Sequence, residues 1–225
     1  MLIGTKQMIS KHSVNITFSF IGKTLMAVES ARNLGVYIDL HLTYDTHISH
    51  LVSSCLTKLV QINRVKYCFD RGTLVLIITS LVFSKMFYCS TVWSNNSSKN
   101  NQKLQLIQNF ACKIICGARK YDHVRPLLDE INWLPVSKML KFRDTVIANN
   151  FGPEYLCAKF KKRSSVHNRT TRNNDKFEIP SFRSATGQWT FAYRAVSLWN
   201  MLDEDLRNAA TVKALKKALK LVMNE

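Results

Sequence analysis

The chain has 225 residues, 46% of them hydrophobic, with 32 Lys and Arg against 15 Asp and Glu and a formal net charge of +17. That apolar content supplies a sizeable core, as one domain or two small ones, and excludes a chain disordered throughout. A basic excess of this size points to a polyanionic partner, either nucleic acid or an acidic membrane surface.

Met1 to Ile3 offers a possible strand with no capping or turn signal before it. Val14, Ile16, Phe18 and Phe20 then alternate with Asn15, Thr17 and Ser19, the period of a strand, and Ile21-Gly22-Lys23 reads as a turn into a return strand over Thr24 to Val28. Leu34, Val36 and Ile38 alternate with Gly35 and Tyr37 as a further half-buried strand. Beyond Asp45 the period changes. Ile48, Leu51, Val52, Cys55, Leu59 and Ile62 recur at helical spacing, opposite His50, Ser53, Ser54, Thr57, Gln61 and Arg64, which predicts a helix to about Tyr67 capped by Thr43 or Asp45. Such a small sheet has an exposed edge and an uncovered face, so further strands are expected before Met1.

Asp70-Arg71-Gly72-Thr73 interrupts the pattern, and a helix from Leu74 to about Tyr88, apolar almost all round, is expected to be buried between neighbours. A polar loop, Ser94 to Asn101, leads to a third helix with Leu104, Ile107, Ala111, Ile114 and Ile115 inward and Gly117 as its C-cap. From Lys159 to Lys176 the composition is basic and polar, with Asp175 the lone acid, and reads as a linker. Phe177, Ile179 and Phe182 around Pro180 suggest a short edge strand. Trp189 to Leu202 reads as a helix, and Thr211 caps a last one bearing Lys213, Lys216, Lys217 and Lys220 opposite Leu215, Leu219 and Val222. The expected class is α+β, mostly α. Its organisation is a small antiparallel sheet over 1–44, a three-helix bundle over 45–118, a helical connector over 119–158, a basic linker over 159–183 and terminal helices over 184–225.

Leu34-Gly35-Val36-Tyr37-Ile38-Asp39 followed by an amphipathic helix resembles the palm-to-thumb junction of the reverse transcriptase of non-LTR (LINE-type, jockey-like) retrotransposons. Ser80-Leu81-Val82-Phe83, Tyr88-Cys89-Ser90-Thr91-Val92-Trp93 and Lys103 to Ala111 resemble, in order, that family's thumb and post-thumb signature. Asn132-Trp133-Leu134-Pro135-Val136, Pro153-Glu154-Tyr155-Leu156, Val166 to Arg172 and Phe191 to Asn200 are similar to its C-terminal tail. The helix over Lys138 to Asn150 is shorter than the family's. The resemblance implies an incomplete palm, a thumb and a tail, and RNA-directed DNA synthesis by the complete parent polymerase.

That reaction needs clustered carboxylates holding two magnesium ions. In the family they lie in an Ala-Asp-Asp turn upstream of the matched region, and no Asp-Asp pair occurs here. Magnesium is therefore expected only for the complete parent, no cofactor for this chain, and Asp39 reads as a turn or cap residue. Cys112, Cys116 and His123 are a weak zinc pattern against core packing of the cysteines. No Gly-x-Ser-x-Gly elbow or Gly-rich phosphate loop is present.

Grip on RNA or an RNA/DNA hybrid, without sequence preference, is the function expected to persist. The candidate contacts are Lys159, Lys161, Lys162, Arg163, Arg169, Arg172 and Lys176, with Lys58, Arg64 and Lys66 on the first bundle helix placed as thumb residues are. The alternatives are a non-functional or purely structural relic helical fragment from a truncated gene model, in which the basic segment is a solvated linker, and a binder of anionic membrane. The six cysteines, at 55, 68, 89, 112, 116 and 157, lack the spacing of a secreted disulfide scaffold. The first residues have no signal-peptide core, and the apolar run Leu74 to Phe83 falls short of the ~20 residues that span a bilayer. An intracellular location, cytoplasm or nucleus, with no membrane partner is expected.

Overall fold

The computed structural model describes residues 1, 3–12, 18–148, 154–166, 174–182, 184–209 and 211–224. Helices dominate, and the strands form two separate antiparallel hairpins of two strands each. The chain divides into two compact units, Met1–Cys89 with Asn96–Val124, and Ser90–Asn95 with Arg125–Glu225.

In the first unit neither Met1 nor Ile3 lies in a strand. A short helix, Lys6–His12, follows instead, and Thr5 Oγ1 accepts the Met8 N–H at 3.3 Å as an N-cap side chain does. The Gly4 N–H donates to the Leu40 carbonyl at 2.9 Å, which ties this start to the end of the second hairpin.

Strand β1 (Phe18–Phe20) pairs with β2 (Lys23–Leu25), and β3 (Ser30–Asn33) with β4 (Val36–Asp39). The part of the expected first strand over 13–17 lies outside the described residues. Both hairpins close through two residues of positive φ: Ile21 and Gly22 at 49° and 69°, Leu34 and Gly35 at 44° and 88°. Such turns match the right-handed twist of the strands they join. The strand expected over Leu34 to Ile38 is therefore corrected. Leu34 is a turn residue, 84% exposed, while Val36 alone of the three alternating positions is buried. The glycine after Leu34 completes a turn, and that local demand overrides the period-two pattern.

Helix α1 (Asp45–Val65) buries Ile48, Leu51, Cys55, Leu59 and Ile62, the face its spacing predicts, and tightens into a 3-10 turn at Lys66–Cys68. Its cap position is Tyr44, at φ 58°, rather than Thr43 or Asp45. The Asp39 carboxylate holds the approach, accepting the N–H groups of His41, Thr43 and Tyr44 at 3.0, 3.0 and 2.6 Å. Burial would raise the pKa of Asp39, but these backbone bonds outweigh it and hold the carboxyl below its ordinary value.

Helix α2 (Arg71–Ile78) is capped by Asp70, whose carboxylate accepts the Thr73 N–H at 3.1 Å. It continues as a π turn, Thr79–Phe83, and ends with Ser84–Met86. Leu74, Ile78, Val82, Phe83 and Met86 are buried, yet Leu76 and Leu81 are 66% and 54% exposed. The expected burial all round is thus corrected. Polar Thr79, Ser80, Ser84 and Lys85 share the exposure, so the helix has a wet side despite its composition.

Helix α3 (Ser98–Cys116) starts at the Ser97 cap, inside the loop expected over Ser94 to Asn101, and stops at Gly117, the expected C-cap, which takes φ 64°. Leu104, Ile107, Ala111, Ile114 and Ile115 are buried, with Cys112 beside them. It packs on α1, and Asn100 Nδ2 donates to Asp45 Oδ1 at 2.6 Å near the N-termini of both helices.

The second unit is built on α4 (Val136–Val146), which packs against α5 (Phe191–Asn200) and α6 (Val212–Asn224), and on the turn Ser90–Trp93. Ala148, Phe160, Phe177, Ala195, Val196 and Trp199 form one core cluster, and Leu206, Leu215 and Leu219 another. The edge strand expected over Phe177 to Phe182 reduces to one bridge between Lys162 and Phe177. Pro180 supplies no N–H to extend it. Helix α5 begins at Phe191 rather than Trp189, and Thr211 Oγ1 caps α6 by accepting the Ala214 N–H at 3.1 Å. No helix among the described residues is long and apolar enough to cross a membrane.

Candidate nucleic-acid interface

In the first unit a groove of about 420 Å³ runs between the end of α1 and the second half of α3. Asn63 and Lys66 line it from α1 and the turn that follows, Leu106, Asn109, Phe110 and Lys113 from α3, and Lys120 from the succeeding loop. Three cations thus line one groove, and no carboxylate shares the lining. The Lys113 ammonium donates to the Lys120 carbonyl, which holds the loop against the helix.

Two aromatic rings flank these cations in sequence. Tyr67 and Tyr121 are each 88% exposed. The Lys66 ammonium sits 5.2 Å from the Tyr67 ring centroid, and that of Lys120 sits 5.5 Å from Tyr121. An exposed ring beside a cation is the pairing that single-stranded nucleic-acid sites use, the ring stacking on a base and the cation meeting phosphate.

Of the candidates on the first helix, Lys66 belongs to this groove, whereas Lys58 and Arg64 stand exposed outside its lining. Lys113 and Lys120 were not legible as partners of Lys66. Lys113 lies between two cysteines that read as core, and Lys120 in a loop without periodicity.

The second unit carries its own basic patch. Lys159, Lys161 and Lys162 are exposed, and Arg163 and Lys176 are half-buried. The two described ends of the segment are tied to each other. The Arg163 N–H donates to the Lys176 carbonyl at 2.9 Å, the Glu178 N–H to the Lys161 carbonyl at 2.8 Å, and the Phe160 and Phe177 rings lie 5.6 Å apart in the core. These bonds set Lys161 to Arg163 beside Lys176. Asp175, the lone acid of the run, is paired with Arg207. Arg169 and Arg172 lie outside the described residues.

Both carboxylate oxygens of Asp39 accept backbone N–H groups, so its side chain acts as the cap of the approach to α1. Cys112 is fully buried among the apolar side chains of α3, and Arg71 Nη2 lies 3.8 Å from Cys116 Sγ. Among the described residues no group of three His, Cys, Asp or Glu side chains is placed to hold a metal ion. No protein-family model, curated protein or solved structure matches the chain.

Proposed function

We propose that the chain is part of a non-LTR retrotransposon RNA-directed DNA polymerase, and that its own contribution is sequence-independent grip on RNA or RNA/DNA hybrid rather than primer extension. The family part of this reading rests on the ordered motifs from Leu34 to Asn200. The observation that carries the grip is the groove in which Lys66, Lys113 and Lys120 meet without a carboxylate. Cations so placed contact phosphates, release counterions and read no bases.

Filter binding of the full chain to single-stranded RNA across a salt series tests it. Each phosphate contact contributes about 0.7 to the slope of log affinity against log salt on a single strand. Replacing Lys66, Lys113 and Lys120 together by Gln is expected to lower that slope by about 2. Absence of affinity at low salt would overturn the grip and favour a relic fragment. Metal-dependent primer extension by the purified chain would overturn its assignment as a binding part alone.

A further inference from the structure

The basic patch of the second unit holds two serines that its core does not use. Ser164 and Ser165 directly follow Lys161, Lys162 and Arg163, and both are exposed. We propose that Ser165 is a phosphorylation site for a serine/threonine kinase whose substrate groove carries carboxylates that read Lys162 and Arg163. Such a kinase selects by charge pattern: its carboxylates take cations at the second and third residues before the acceptor, and an apolar pocket takes the residue after it. Among all Ser and Thr of the sequence, only Ser164 and Ser165 have Lys or Arg at both preceding positions. Of the two, Ser165 alone is followed by an apolar residue, Val166, which is 39% exposed.

The fold presents this serine where a kinase can take it. Ser165 lies on the single helical turn Arg163–Val166, and its hydroxyl and its N–H both donate to the Lys162 carbonyl, at 2.7 and 3.0 Å. Straightening residues 162–166 into a kinase groove releases these bonds, together with those from the Arg163 N–H to Lys176 and from the Ser164 N–H to Asn174. None of them involves a core residue, so local opening suffices while Phe160 and Phe177 stay packed on either side of the stretch. In the transfer, Ser165 Oγ attacks the γ-phosphorus of ATP and the bond to the bridging oxygen breaks. ADP leaves, and the hydroxyl proton passes to the catalytic carboxylate of the kinase. The phosphate adds about −1.5 to −2 charge to the run that carries Lys161, Lys162, Arg163 and Lys176, which neutralises much of the patch.

The acceptor site does not depend on the polymerase reading, and its test uses no RNA. The full chain is incubated with ATP, magnesium and the catalytic subunit of cyclic-AMP-dependent kinase, and the product is read by intact mass and peptide fragmentation. One phosphate per chain, on Ser165, is expected. Ser165→Ala is expected to abolish it and Ser164→Ala to leave it. Lys162→Gln, at an exposed position, is expected to lower kcat/KM about tenfold or more through loss of a charge-assisted contact. The labelled chain is expected to leave a heparin column at lower salt than the unlabelled chain. A synthetic peptide of residues 159–170 is the positive control for the kinase. The proposal is overturned by labelling of the peptide but not of the folded chain, by label that survives Ser165→Ala, or by Lys162→Gln accepting phosphate as fast as wild type. Unchanged heparin elution after complete labelling would overturn the neutralisation of the patch.

Discussion

Arg194 reaches Asp144 Oδ2 through both Nε and Nη2 at 3.3 Å, and Asp144 is only 3% exposed. Ser94 completes the arrangement, donating to Asp144 Oδ2 at 3.1 Å and accepting from Arg194 Nη2 at 2.8 Å. The same Nη2 donates to the Thr91 carbonyl at 2.8 Å. One guanidinium therefore joins α5 to α4 and to the Ser90–Asn95 segment, three pieces of the second unit far apart in sequence. A buried carboxylate stripped of its cation is costly, about 3–5 kcal/mol. Arg194→Met is expected to destabilise the second unit by that order in urea denaturation. Adding Asp144→Leu to it is expected to recover part of the loss, since the orphaned charge is then gone.

Burial raises the Asp144 pKa to about 6 from an ordinary 3.8, against the pull of Arg194 and Ser94. Between these values the folded chain holds more protons on this group than the unfolded chain, so its contribution to stability falls as pH rises from 4 to 6. A shift of this size corresponds to about 3 kcal/mol. Compared with Asp144→Asn, wild type is expected to lose stability progressively across that window and to differ by a constant amount above it. A stability difference flat from pH 4 to 7 would contradict the raised value.

Asp39 works in the opposite sense. Its carboxylate is favoured in the folded chain by three backbone N–H groups, so its contribution is present above the unfolded pKa and is lost as pH falls through the depressed folded value. Asp39→Ala leaves the approach to α1 without its acceptor and is expected to cost the first unit about 1–2 kcal/mol in chemical denaturation.

The Leu34-Gly35 turn suggests a stabilising change. Leu34 sits at φ 44° and is 84% exposed, so its side chain bears a left-handed backbone without burial in return. Asn is the residue this turn position favours. Its carbonyl, which accepts the Tyr88 hydroxyl at 3.2 Å, is unchanged by substitution. Leu34→Asn is expected to stabilise the first unit by about 1 kcal/mol, read as a rise in Tm.

Much of the helical architecture was legible because its signals agree. In α3 the Leu104 to Ile115 face and the Gly117 stop point to one element, and the structure places both as expected, while its start at Ser97 falls inside the stretch expected as a loop. The sheet was less legible. Leu34, Val36 and Ile38 keep a strand's period across a turn, and only the backbone demand at Gly35 separates them. The short helix Lys6–His12 lacks the length for a periodic pattern and depends on Thr5 and contacts to Leu40. Of the basic candidates, Lys66 could be picked out by charge alone, but its meeting with Lys113 and Lys120 depends on how α1 packs on α3, which no local pattern encodes. The pairing of Asp144 with Arg194 was hidden for the same reason.

Tyr67 and Tyr121 neighbour Lys66 and Lys120 without lining the groove, and they test whether stacking adds to the ionic grip. Each ring is 88% exposed, so truncation removes no core packing and leaves the fold intact. Stacking on a base is worth about 1–3 kcal/mol and carries no counterion release, whereas a lysine contact to phosphate carries little else. Tyr67→Ala and Tyr121→Ala are each expected to weaken single-stranded RNA binding about fivefold or more at every salt concentration, leaving the salt slope as it was. Paired duplex RNA offers no unstacked base and is expected to bind both variants as it binds wild type. Loss of slope in either variant would mean that the ring merely positions Lys66 or Lys120, whose ammonium groups lie 5.2 and 5.5 Å from the two centroids, and that the groove holds strands by charge alone.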